Sequence, residues 1–153
     1  MDTTPHAGER GGGVGVEMAL IWIAMLGLVA AATQVALVFY AGQLALTAAQ
    51  DGVHAGATHT AAAQDPADPT AQAREALDPT AQGRAHDAAR DAAQGFLARA
   101  SGTVFTPTAV TVSVEHGGGV LRVQVRGRAL SLIPGTKLTV DKSAVAALEQ
   151  VAP

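Results

Sequence analysis

TAVTVSVEHGGGVLRVQVRGR, Thr108 to Arg128, is where the chain changes period. Val110, Val112 and Val114 fall on one side of an extended strand, and Thr111, Ser113 and Glu115 on the other. After His116–Gly119 the alternation resumes, with Leu121, Val123 and Val125 against Arg122, Gln124 and Arg126. Period-two patterning on both sides of a glycine-rich turn predicts an antiparallel hairpin with one apolar and one polar face. The glycines supply the positive φ that such a turn needs. Pro134-Gly135 turns the chain again, and KLTVD (Lys137–Asp141) is read as a third strand.

Upstream the period is helical. Asp78-Pro79 reads as an N-cap and first helical position, and a helix is expected from Pro79 to about Ala100, with Phe96 and Leu97 its few large apolar residues. DPTAQGR (Asp78–Arg84) repeats DPTAQAR (Asp68–Arg74), and two copies are too few for a solenoid. The repeat is read as a local duplication in a linker over residues 64–78. Further back, Leu37, Tyr40, Leu44 and Thr47 recur at three- and four-residue spacing, so one long helix is expected from about Val14 to about Ala63. A narrow stripe of small residues should mark its outer part. GVHAG (Gly52–Gly56) has the small-xxx-small spacing that allows close helix approach, although outside a membrane a plain helix interior is the ordinary reading. Helices followed by a small antiparallel sheet whose apolar face packs on them make the fold class α+β.

The start of that long helix is of a different character. RGGGVGVEMALIWIAMLGLV (Arg10–Val29) opens a run, Met18 to Gly42, of 25 residues without formal charge. As a helix this is about 37 Å long, against a hydrocarbon core of about 30 Å. A transmembrane segment over 13–42 is expected, with Met18, Trp22, Phe39 and Tyr40 among its residues, a helical extension over 43–63, and an extracytoplasmic α+β domain over 79–153. Arg10 and the α-amine lie on one side, and no Lys or Arg follows until Arg74, which favours a cytoplasmic N-terminus.

Bulk composition narrows the function. Ten Lys and Arg against thirteen Asp and Glu give a net charge of −3, with no basic field for nucleic acid. The absence of cysteine removes disulfides, thiolate metal sites, a cysteine nucleophile and a lipoprotein anchor. HGGG resembles an esterase oxyanion loop, but the chain has no G-x-S-x-G elbow to accompany it. His54, His59 and His86 lie among alanines with no H-E-x-x-H spacing, so no metal site is expected. Acidic residues are scattered, and neither a catalytic residue nor a cofactor is expected. Arg122, Arg126 and Arg128 form a modest basic stripe, read first as a solvated face and second as a docking surface for an acidic partner.

Glu17 stands at the lip of the apolar run, where a carboxylate is costly unless it is neutralised or stays at headgroup level. Three readings are open. The carboxylate could sit among headgroups with no further role. The segment could be a secretory signal cut near Ala30-Ala31-Ala32, although its n-region lacks positive bias and apolar character resumes at Val35. Or the chain could be cut after Gly12, which makes Gly13 the first residue and Glu17 the fifth. Glu17 of one subunit could then neutralise the new amine of its neighbour and set axial register between packed helices.

Gly12-Gly13-Val14-Gly15-Val16-Glu17 before an apolar helix resembles the class III prepilin signal of type IV filament systems. RGGGVGVEMAL in particular is similar to the processing site of the TadE/TadG-like minor pilins, or pseudopilins, of tight-adherence (Flp) pilus machinery. The resemblance spans Arg10 to about Gln50 and extends loosely to the hairpin and the PG-x-x-L-T-V segment. It implies a leader over 1–12, cleavage between Gly12 and Gly13 by a prepilin peptidase, and retention in the cell membrane with the C-terminal part outside or in a surface pilus. The implied partners are the Flp major pilin, other minor pilins, inner platform proteins and a secretion ATPase. Flp major pilins are far shorter, so the size of the outer part points to a minor component. The alternative is an unprocessed single-pass membrane-anchored binding module that engages a partner through its hairpin or arginine face.

Overall fold

The structure is a computed structural model that describes residues 12–62, 79–100, 102–115 and 119–148. The leader up to residue 11, the linker with the first DPTAQ copy, the Asp78 cap and the turn residues 116–118 lie outside the described residues. Two helices, α1 (Gly12–Ala62) and α2 (Pro79–Ala100), precede three strands, β1 (Phe105–Glu115), β2 (Val120–Ala129) and β3 (Leu138–Ala147). The strands form one antiparallel sheet in the order β1-β2-β3, and the class is α+β.

The chain divides into two compact units, Met1–Val35 and Ala36–Pro153. In the first, the described residues are all helix, and the apolar side chains from Gly15 onward are exposed throughout. The most apolar 18-residue stretch of α1 has a mean hydropathy of 2.1 and none of it is buried. A core helix of a soluble protein hides such a surface; here it is left to a surrounding medium, so α1 is compatible with a single-pass membrane anchor.

The second unit packs the remainder of α1 and all of α2 on the sheet. Its buried residues on α1 are Ala41, Gly42, Ala45, Ala48, Ala49, Gly52, Val53 and Gly56, a stripe at helical spacing with no side chain larger than valine. This is the narrow stripe of small residues expected on the outer part of the helix; of the larger residues that marked the helical period, Leu37 and Leu44 are half-buried beside it, while Tyr40 and Thr47 are exposed. On α2 the buried row is Ala81, Ala85, Ala89, Ala93 and Leu97, one residue every turn. Two rows of small side chains let the helices approach closely. A Cβ built on Gly52 would lie 2.7 Å from the Ala89 carbonyl oxygen and 3.1 Å from the Ala93 Cβ. Gly56 meets Ala85 O at 3.0 Å and Ala89 Cβ at 3.1 Å in the same way, and the Leu121 side chain as well. GVHAG is therefore a helix-packing site within this unit rather than a plain helix interior.

The sheet supplies the bulk that the helices lack. Its largest fully buried side chains are Phe105, Leu121, Val123 and Val125. Val110, Val112 and Val114 on the edge strand β1 are half-buried against the same core. Phe105 lies across Gly127, whose missing side chain makes room for the ring. The hairpin register closes at Glu115↔Val120 and runs to Phe105↔Ala129, with one irregularity between Pro107 and Ala109. A proline at that position is tolerated because β1 is an edge. β3 continues past the expected KLTVD as far as Ala147, paired residue for residue with β2. Alanine-rich KSAVAA has weak strand propensity of its own, and pairing with an already formed strand overrides it. Beyond β3, the Leu148 amide donates to the Gly119 carbonyl and ties the chain back to the hairpin turn.

Candidate functional site

Two regions carry the candidate residues, and each is taken alone. In the first unit, Gly12 and Gly13 are the opening residues of α1 and Glu17 follows within the same unbroken helix. Gly13 and Glu17 are four residues apart, which places them one turn apart on a single helix face. The Glu17 side chain is exposed, as are Met18 and Trp22, the latter at 62%. Among the described residues before Ala36, the ionisable side chain is Glu17 alone, so an amine at Gly13 would be its nearest charge along the helix. Phe39 and Tyr40, early in the second unit, are exposed on α1 while Val38 turns towards the core.

The second region is the outer face of the sheet. Arg122, Arg126 and Arg128 do share that face, because they alternate with the buried Leu121, Val123, Val125 and Ala129. Two of the three are paired with carboxylates of the same sheet. Arg122 donates to Glu115 Oε1 through Nε at 3.2 Å and Nη2 at 3.1 Å. Arg126 Nε donates to Asp141 Oδ2 at 2.7 Å, across the β2–β3 pair. Gln124 Nε2 donates to both oxygens of Asp141, at 2.8 and 3.0 Å. These hydrogen bonds, Gln124 first and Arg126 second, hold the Asp141 carboxyl below its ordinary range. Carboxylates thus occupy two of the three guanidinium groups, and Arg128 is the exposed cation left at the end of the row. The cluster around Asp141 could not be read from the strand pattern, because the register of β3 on β2 decides which carboxylate meets which arginine.

Two open grooves of the second unit are lined by described residues, and each lining has one ionisable side chain. One, of about 520 Å³, lies between α2 and β1, and Arg90 is the ionisable member of its lining. The other, of about 530 Å³ between α1 and β3, has His54 in that position. His86 Nδ1 lies 3.2 Å from Asp87 Oδ1 on the exposed side of α2, and the His59 side chain lies outside the described residues. Among the described residues no three His, Cys, Asp or Glu side chains cluster as metal ligands would.

Set against protein-family models, curated proteins and solved structures, the chain gives no match to any of the three.

Proposed function

We propose that this protein is a minor pilin or pseudopilin-like component of a Flp-type pilus assembly, processed by a prepilin peptidase between Gly12 and Gly13. The observation that carries the reading is the placement of Glu17 on α1: five residues after Gly12, at the start of an exposed apolar helix, and one turn from the residue that cleavage would make N-terminal. A carboxylate in that setting gains a cationic partner when an adjacent subunit presents a free Gly13 amine. Pairing in a medium of low dielectric offsets the desolvation of both groups and fixes how far one helix slides past the next. The apolar side chains provide adhesion, and the charge pair provides register.

In this reading the N-terminus faces the cytoplasm and the second unit lies outside the membrane. The occupied arginines favour assembly over ligand capture, since Arg122 and Arg126 are already engaged by carboxylates of their own sheet. Intact-mass measurement of the chain recovered from cells with an active leader peptidase tests the proposal. The expected chain begins at Gly13; a chain that keeps residues 1–12 refutes processing and leaves a membrane-anchored binding module. A chain that begins near Thr33 would refute both.

A further inference from the structure

The large apolar side chains that the second unit leaves exposed are not scattered. Among its described residues they are Phe39, Tyr40, Leu130, Leu132, Ile133 and Val145. All but Val145 lie at one end of the unit. The direction follows from contacts between α1 and the sheet. Leu121 meets Gly56, Val123 approaches the Gly52 position, and Lys142, the partner of Val125, lies over Gly42. β2 therefore runs antiparallel to α1, and the loop that leaves it at Leu130 sits at the end where α1 carries Phe39 and Tyr40.

That loop is shaped rather than slack. Ser131 Oγ accepts from the Ile133 amide at 3.1 Å and lies 3.0 Å from the Ile133 carbonyl, to which it donates. The Thr136 amide closes a turn on the Ile133 carbonyl at 3.2 Å, with Gly135 at φ 84° in the left-handed position the turn requires. Leu130, Leu132 and Ile133 are held outward at 42%, 48% and 59% exposure. Two lysines flank them. Lys137 is exposed directly after the turn, and the Lys142 stem passes 3.5 Å from a Cβ built on Gly42.

We propose that the Leu130–Lys137 loop is a second membrane contact, in which Leu130, Leu132 and Ile133 enter the headgroup–acyl boundary while Lys137 and Lys142 face anionic headgroups. The occupant is a lipid surface because the patch combines three features. Its apolar side chains cluster at the end of the unit that bears the exposed Phe39 and Tyr40, and a tyrosine ring favours the headgroup level. Its charged neighbours are cations with long stems suited to snorkelling. Its Leu130, Ile133 and Thr136 amides are already hydrogen-bonded, which lowers the cost of bringing them into a less polar layer. This inference rests on the reading of α1 as a membrane span, and not on cleavage or on a pilus.

The chain has no cysteine, so a single one can be placed at will. The full chain with Thr136→Cys, carrying an environment-sensitive nitrobenzoxadiazole label, is reconstituted into vesicles of phosphatidylethanolamine and phosphatidylglycerol. Labels at Ser113→Cys, on the far outer face, and at Ile23→Cys, in the apolar run, serve as references. The label at 136 should emit to the blue of the label at 113, be quenched by a shallow lipid-borne nitroxide, and show several-fold weaker quenching by aqueous iodide. Adding Leu132→Ser and Ile133→Ser should return it to the behaviour of the label at 113. Equal iodide quenching at 136 and 113, with lipid quenching at 23, would overturn the loop contact and leave the span standing. Iodide quenching at 23 as strong as at 113 would overturn the span and the inference with it. Protection from iodide at 136 without lipid quenching would also overturn it, in favour of a contact between protein copies.

Discussion

Gly52→Ala and Gly83→Ala should change stability in opposite directions, although both replace a helical glycine by the best helix former. In an open helix interior the exchange is worth about 1 kcal/mol in favour of alanine. Gly83 meets this condition, since nothing lies within 4 Å of a Cβ built there, and the full gain is expected. At Gly52 the new methyl would lie 2.7 Å from the Ala89 carbonyl oxygen and 3.1 Å from the Ala93 Cβ. The first obstacle is backbone, which no rotamer change can clear, so α1 and α2 must separate. Overpacking of this kind costs about 1–3 kcal/mol, with part of the helix-propensity gain set against it. A net loss of about 1–2 kcal/mol is expected for Gly52→Ala, a factor of about 5–30 in the opening equilibrium. Native-state amide exchange of β2, followed by mass spectrometry on the full chain in detergent micelles, reads this equilibrium directly. Exchange at Leu121 and Val123 should speed up by that factor in Gly52→Ala and slow down in Gly83→Ala. Unchanged or slower exchange in Gly52→Ala would refute the account of α1 and α2 as a backbone-limited contact.

Other perturbations test other parts of the molecule. Phe105→Ala empties the largest buried site over Gly127 and should cost about 3–5 kcal/mol, read as loss of protection throughout the sheet. Because the Asp141 carboxyl is held low by Gln124 and Arg126, its contribution is complete above the ordinary aspartate range and is lost as pH falls through the lowered folded value. Acid titration of β2–β3 exchange should therefore show a step that Asp141→Asn removes. Glu17→Ala should still insert into the membrane, as judged by carbonate extraction, yet fail to enter assembled complexes in co-purification; normal assembly would refute a register role.

The alternating valines of β1 and β2 announced a hairpin because each strand has one covered face, and the structure pairs them in that way. Pro79 marked the start of α2 because a proline fits the first turn of a helix and little else inside one. The second half of β3 was not legible, since Ala144, Ala146 and Ala147 favour helix in isolation and become strand only by bonding to β2. The role of Gly52 and Gly56 was hidden for a related reason: spacing reveals that two helices could touch, and says nothing about what arrives to touch them. The arginine row was visible as an alternation, but its partners were not. Glu115 reaches Arg122 across the hairpin, whereas Asp141 comes from a strand whose register local sequence does not set.

The small-residue stripe of α1 has a consequence for any assembly this chain enters. From Ala41 to Gly56 the groove made by alanine and glycine is filled by α2 and the sheet of the same molecule. A seat already taken cannot be offered to a neighbour, so lateral docking by other subunits along this stretch must use the opposite flank of the helix, where Gln43, Thr47, Gln50 and His54 are exposed. Along α1 itself, tight apolar contact between copies is left to the residues before Ala41, where the exposed side chains are large and oily.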